Sequence, residues 1–343
     1  MKLVILALFL SACSYLDLNQ DTHGVCGTDA AIDSTLVAPD APSTVDAPAW
    51  VCNPTPPTVF HDPTGQGHID ITIDKPLTYS CADAPRPLLV FLGGYGSGTG
   101  GAAQIAFGFR YTAKPHGYAL IMAPRGLIQP GTTSVKYWNA DPAAYDVMGV
   151  GNDDVAYLRA LIEWTLANYN VDRSRVVVMG QSNGGFMAER LRCSVSDLVT
   201  MIVDESGQGQ SPTITCPGAR PVAAILDHST ADTGVKYNGG TLQGMTVAYP
   251  PFSTTLAQNA AQNACSGTFN VTGTYDHDAA IAGDDTDRLT LPGCPVEHWR
   301  RAGAHGPVHQ LVAGCADTAC NVPLQTNFAV DVWAFLQAHP RLP

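Results

Sequence analysis

The chain predicts an α/β fold: a single doubly wound, mostly parallel sheet with helices on both faces. Three observations carry this reading. Residues 87–92 (Pro-Leu-Leu-Val-Phe-Leu) and 118–123 (Tyr-Ala-Leu-Ile-Met-Ala) are continuous apolar runs, as expected of parallel strands buried on both faces. Helical patterns alternate with such runs nearly to the C-terminus, the order that winds a parallel sheet. A third run, residues 175–179, leads directly into Gly180-Gln181-Ser182-Asn183-Gly184-Gly185. A G-x-S-x-G pattern between a buried strand and a helix marks a nucleophile elbow, a tight turn that needs small residues around its serine.

The elements follow in order. Residues 68–73 alternate with period two and read as a half-exposed, antiparallel edge strand. The crossover between the first two buried runs is expected as a helix over 102–114. From 152 to 169, Val155, Leu158, Leu161, Ile162, Leu166 and Tyr169 share one helical face, with Asn152 as cap and Asp153 and Asp154 on the positive end of the dipole. The elbow opens a helix over 183–193 that carries Arg190 and Arg192 in its last turn. Strands are expected at 199–203, 221–226 and 296–301. A closing amphipathic helix spans 327–338, with Phe328, Val332, Phe335 and Leu336 inward and Pro340 as its stop. There is no internal repeat and no sign of a second domain.

With 343 residues, 45% of them hydrophobic and 14% charged, the chain can bury a large core. The formal charge of -12 argues against nucleic-acid partners, which need clustered Lys and Arg. Half of that charge is local: Asp17, Asp21, Asp29, Asp33, Asp40 and Asp46 fall in a stretch without Lys or Arg.

Ten cysteines without C-x-x-C pairs point to an oxidising, exported location rather than to zinc. The N-terminus agrees. Lys2 precedes an apolar run from Leu3 to Leu10 that is too short to span a bilayer, so residues 1–12 read as an export signal. Leu10-Ser11-Ala12-Cys13 resembles a bacterial lipobox, which makes Cys13 the lipidation site and the membrane a partner through a lipid anchor. Residues 13–50, rich in Ala, Asp, Pro, Ser and Thr, read as a disordered tether, and 51–343 as the catalytic domain.

Serine is a weak nucleophile that needs a base in reach and an acid to orient that base. In α/β-hydrolases these follow in the order Ser, acid, His. Asp227 and Asp232 both follow the strand at 221–226, and both are candidates for the acid. His305 follows the strand at 296–301, with His309 as its rival; His298 lies within that strand. The oxyanion hole takes backbone N–H donors from Asn183 and from the loop after Leu92, where Tyr95 aligns best. Because the Asn183 donor is its main chain, its side chain is expected to matter less. Trp138 and Tyr95 are candidate walls of an acyl or aromatic pocket. Asp284-Asp285-Thr286-Asp287 lacks the glycine and distal glutamate of a calcium loop and reads as a solvated acidic turn. No metal or cofactor is expected.

From about 85 to 340 the chain resembles the secreted polyhydroxybutyrate depolymerase and feruloyl esterase group of α/β-hydrolases, related to carbohydrate esterase family 1. The matching stretches are Tyr137-Trp138-Asn139-Ala140, Asp153-Asp154-Val155-Ala156-Tyr157-Leu158, Val171-Asp172-Arg173-Ser174-Arg175-Val176, the Ser-Asn-Gly-Gly of the elbow, His228-Ser229-Thr230-Ala231-Asp232 and Tyr237-Asn238-Gly239-Gly240. The resemblance implies Asp232 as triad acid and His305 as base. Two loops depart from the family: Gly93-Gly94 stands where His-Gly is usual, and Ala302-Gly303-Ala304-His305-Gly306-Pro307 where Gly-Gly-Gly-His-x-Trp is common.

The same resemblance implies disulfides Cys193–Cys216 and Cys265–Cys294, the latter flanking a hairpin-like region. Cys52–Cys81 and Cys315–Cys320 then remain by elimination, and Cys26 stays unpaired. The implied activity is hydrolysis of a feruloyl or acetyl polysaccharide ester, or of a hydroxyalkanoate ester, small or polymeric. A non-catalytic binding lipoprotein of the same fold, or a peptidase or acyltransferase with the same triad, is the alternative.

Overall fold

The computed structural model describes residues 51, 53–76, 79–96, 119–129, 131–141, 151–209, 216, 218–242, 248–278, 281–305 and 327–341. The expected helix at 102–114, Cys13 with the tether, and His309 lie outside the described residues.

Two short strands, β1 (Val59–Phe60) and β2 (Ile71–Thr72), pair antiparallel. The half-exposed strand expected at 68–73 is thus reduced to two residues, and Asp74 bridges to Ile121. Then come β3 (Arg86–Leu92), β4 (Leu120–Met122), the small hairpin β5 (Leu127–Ile128) and β6 (Lys136–Tyr137), and helix α1 (Asp154–Asn168). The elbow unit is β7 (Val171–Gln181) followed by α2 (Asn183–Ser194). After it lie β8 (Met201–Glu205), β9 (Ala223–Ser229), the pair β10 (Gly240–Thr241) and β11 (Ala248–Tyr249), and α3 (Phe252–Gln262). The chain closes with β12 (Asn270–Tyr275), β13 (Thr286–Thr290), β14 (Val296–Arg301) and α4 (Asn327–Ala338).

The main sheet has eight strands in the order β12-β13-β14-β9-β8-β7-β3-β4. All pairs from β14 to β4 are parallel, and only β12·β13 and β13·β14 are antiparallel. The predicted doubly wound, mostly parallel sheet is therefore observed. Alternation sorts its side chains to two layers. Leu88, Val90, Val176, Val178 and Ile202 pack with Tyr157, Leu158 and Leu161 of α1 and Phe186 and Met187 of α2. Leu89, Phe91, Val177, Met179 and Val203 face Phe328, Val332 and Leu336 of α4. The strand order reverses between β3 and β7. At such a switch point the carboxyl ends of the strands open a crevice, and Ser182 stands there.

Local details differ from the sequence reading. Asp153, not Asn152, caps α1, accepting from Ala156 N at 3.0 Å. Asn152 and Asp154 are buried. Asp154 Oδ2 accepts from Asn139 N (2.6 Å) and Asn152 Nδ2 (2.8 Å), and its Oδ1 lies 2.9 Å from His68 Nε2. The acidic turn at 284–287 is also only partly solvated. Asp285 is 7% exposed and accepts from the backbone of His277 and Asp278 and from the Thr286 hydroxyl, while Thr286 and Asp287 belong to β13. The carboxylate organises the turn that links β12 to β13.

Cys193–Cys216 and Cys265–Cys294 are disulfide-bonded. Cys81 is disulfide-bonded as well, whereas Cys26, Cys52, Cys315 and Cys320 lie outside the described residues. Among the described residues no helix is long and apolar enough to cross a membrane.

Candidate active site

The strand β7 delivers Ser182 with φ 54° and ψ -116°, a backbone region costly for a residue with a Cβ and held only by its surroundings. Those surroundings are tight. A Cβ at Gly180 would lie 1.9 Å from the carbonyl oxygen of Gly184, and one at Gly184 would lie 2.2 Å from that of Leu92. The Ser182 N–H donates to Glu205 O at 2.8 Å and its carbonyl accepts from Phe186 N at 3.0 Å. The turn is thereby pinned to β8 on one side and to the first turn of α2 on the other.

Asp232 and His305 reach the serine from two further strand ends. Ser182 Oγ lies 3.0 Å from His305 Nε2, and His305 Nδ1 lies 2.7 Å from Asp232 Oδ2. A carboxylate can only accept, so the Nδ1 proton is donated to Asp232 and Nε2 presents its lone pair to the hydroxyl. Asp232 Oδ1 accepts from the backbone of Gly234 and Val235 at 2.8 and 2.9 Å. The Asp232 side chain is fully buried and that of His305 is 26% exposed. Gly234 faces the imidazole closely: a Cβ there would lie 2.7 Å from His305 Cγ.

The alternative acid and base stand elsewhere. Asp227 is buried against Arg301, at 2.6 Å from Nε. His298 sits within β14, its ring 4.2 Å from Phe252 and 6.0 Å from Tyr237. Burial, aided by Arg300 and His228, pushes its pKa down to about 3. His228, also lowered chiefly by burial, lies 2.8 Å from Val235 O and braces the Asp232 loop.

The Asn183 N–H belongs to the first turn of α2, where backbone donors have no partner within the helix. The loop after β3 comes alongside: a Cβ on Gly94 would lie 3.3 Å from Ser182 Cβ. Tyr95 follows, 58% exposed, with its phenol donating to Gln129. Trp138 does not wall an open pocket. It is 2% exposed, and its indole N–H donates to Gly93 O at 3.1 Å. Its main chain is gripped by the Asn183 side chain, whose Oδ1 accepts from Trp138 N at 2.7 Å and whose Nδ2 donates to Trp138 O at 3.0 Å. The Asn183 side chain therefore has a task the sequence did not disclose, since its partner is 45 residues away. Among the described residues, no three His, Cys, Asp or Glu side chains gather as a metal site would require.

No family model matches the chain. Over 62 residues it is 42% identical to feruloyl esterase B of Neurospora crassa, a stretch that covers 18% of this chain and 21% of that protein. The match thus spans about a fifth of the relative's length. Among solved structures, the acetyl xylan esterase from Aspergillus awamori is similar over 74% of this chain and 95% of its own, at 17% identity and a TM-score of 0.49. Esterase PE8 is similar over 78% and 99%, at 15% identity and a TM-score of 0.46. At that level the neighbours add little to the topology itself. Strand order, elbow and the chain order of Ser182, Asp232 and His305 are those of an α/β-hydrolase fold.

Proposed function

We propose that this chain is a serine carboxylic-ester hydrolase. The observation that carries the reading is the continuous relay from Ser182 Oγ through His305 to buried Asp232. In this reading His305 Nε2 takes the hydroxyl proton as Ser182 attacks the ester carbonyl, and Asp232 stabilises the imidazolium that forms. The Asn183 N–H and a donor from the loop at 93–95, with Tyr95 as the candidate, receive the oxyanion. His305 then protonates the departing alcohol, and a water deprotonated by the same imidazole releases the acid from the acyl-enzyme. The local match to feruloyl esterase B supports feruloyl esters as substrates ahead of hydroxyalkanoate esters. The disulfides Cys193–Cys216 and Cys265–Cys294 support an exported protein, and Leu10-Ser11-Ala12-Cys13 supports its anchoring by lipid at Cys13.

The test is turnover of feruloyl, acetyl-xylan, hydroxybutyrate-oligomer and short aryl esters, with covalent labelling by a fluorophosphonate. Ser182→Ala is expected to abolish labelling and reduce turnover by about 10⁴-fold or more while leaving the folded state intact. Equal turnover by Ser182→Ala would overturn the mechanism. A wild type that is neither labelled nor active on any ester would favour a non-catalytic binding role.

A further inference from the structure

We propose that the buried Asp227–Arg301 ion pair is a positioning brace that fixes His305 relative to Ser182. The inference rests on the esterase reading and adds two residues to its machinery. Arg301 is the last residue of β14, four before His305, and Asp227 lies on the neighbouring strand β9. Their side chains are 2% and 0% exposed. The Arg301 guanidinium serves three acceptors at once: Asp227 Oδ1 from Nε at 2.6 Å, Ser206 Oγ from Nη2 at 2.9 Å, and Ala304 O from Nη1 at 3.4 Å.

These three contacts reach both halves of the relay. Ala304 immediately precedes the base. On the other side, Ser206 follows Glu205, whose carbonyl receives the Ser182 N–H at 2.8 Å. Ser206 sits in the left-handed region at φ 56°, and its N–H donates to Asp227 O at 2.8 Å. A displacement of the guanidinium would therefore be felt at the base loop and at the strand end that pins the nucleophile. The Ser229 hydroxyl adds a parallel tie, donating to Gly303 O at 2.5 Å. Neither member of the pair belongs to the Ser182–His305–Asp232 relay, so the brace acts through others.

Stability does not account for this arrangement. A buried ion pair gains little over a well-packed apolar pair, because desolvation offsets the attraction. Burial opposes the Arg301 charge, and the carboxylates of Asp227 and Glu205 outweigh it and hold the guanidinium protonated. What the pair does supply is direction: a planar fork of fixed N–H vectors meets a carboxylate, a hydroxyl and a carbonyl together, which a lysine ammonium on a flexible stem cannot reproduce.

The experiment compares wild type, Arg301→Lys and the double variant Asp227→Leu with Arg301→Leu. It reads kcat and KM for a short p-nitrophenyl ester, the rate of fluorophosphonate labelling, and Tm. Arg301→Lys is expected to lower kcat and the labelling rate by about 10²-fold, the scale of a misplacement near 1 Å, with KM within about twofold because the substrate's own contacts are untouched. The double variant, which removes both charges of the pair together, is expected to remain folded at the assay temperature and still lose kcat. A double variant with wild-type Tm, kcat and labelling would reduce the pair to filler and overturn the proposal, even if Arg301→Lys fails to fold. A wild type that does not label would overturn the esterase reading and the brace together, whereas a labelled wild type matched in rate by both variants overturns the brace alone.

Discussion

Asn183 grips Trp138 by both edges of its backbone, accepting its N–H at 2.7 Å and donating to its carbonyl at 3.0 Å. Through the Trp138 indole, which bonds Gly93 O, the helix that begins at the nucleophile also fixes the loop expected to complete the oxyanion hole. Asn183→Ala removes two buried hydrogen bonds and leaves two backbone groups unpaired, a cost of about 2–4 kcal/mol. The expected result is a lower Tm together with a kcat loss greater than the stability loss alone explains. Steady-state kinetics well below the melting transition check this; unchanged kcat would mean that the clamp serves folding only.

Gly234 lies against the His305 imidazole. Gly234→Ala places a methyl 2.7 Å from His305 Cγ, so the ring or the Gly234 loop must shift and the Ser182–His305 geometry is disturbed. Because the position is exposed, the fold is expected to survive while kcat falls by about 10²-fold. Kinetics and a thermal melt on the same sample separate the two effects.

Asp204 is buried beside Gly185 and Gly207, and its pKa is raised well above 3.8, first by burial and then by repulsion from Glu189. The folded state thus retains a proton that the unfolded chain releases. Its contribution to stability is complete below pH 3.8 and is lost as pH rises through the elevated folded value. Asp204→Asn keeps an acceptor for Gly207 N, which bonds Asp204 Oδ1 at 2.8 Å, and it cannot ionise. Tm measured across the range above pH 4 should decline less steeply in the variant than in wild type; parallel curves would refute the assignment.

His298 titrates with the opposite consequence. Its pKa of about 3 lies below the unfolded value near 6.5, so between those limits the unfolded chain binds a proton that the folded chain refuses. Stability is full above pH 6.5 and falls as pH drops toward 3. His298→Leu should flatten the acid side of the Tm against pH curve, even though the loss of stacking on Phe252 lowers Tm at neutral pH.

The sequence is most legible where a local rule acts alone. Residues 327–338 form a helix within the expected bounds because the apolar period and Pro340 need no distant partner. Ser182 and His305 could be named because strand ends punctuated by small residues are visible in order, while the choice of Asp232 over Asp227 comes from the family resemblance. Side chains whose roles are set across the fold could not be read. Trp138 has an aromatic's composition and a brace's function. Asp285 looks like surface acid and is an interior acceptor. β12 escaped as a strand because its residues are polar and largely exposed, the pattern of a sheet edge rather than of a core. The cap of α1 fell one residue late for a similar reason: Asn152 is drawn inward by Tyr137 and Asp154, which leaves Asp153 to cap.

The strand order has a consequence for how this protein comes into being. The sheet extends from β7 in two directions, toward β3 and β4 on one flank and toward β14 on the other, and His305 lies 123 residues after Ser182. A chain emerging from synthesis therefore presents Ser182 long before His305 can stand beside it. Until β14 has docked on β9, His305 cannot stand beside Ser182, and the proposed relay is incomplete. In the proposed mechanism, ester turnover requires that the last strand has arrived.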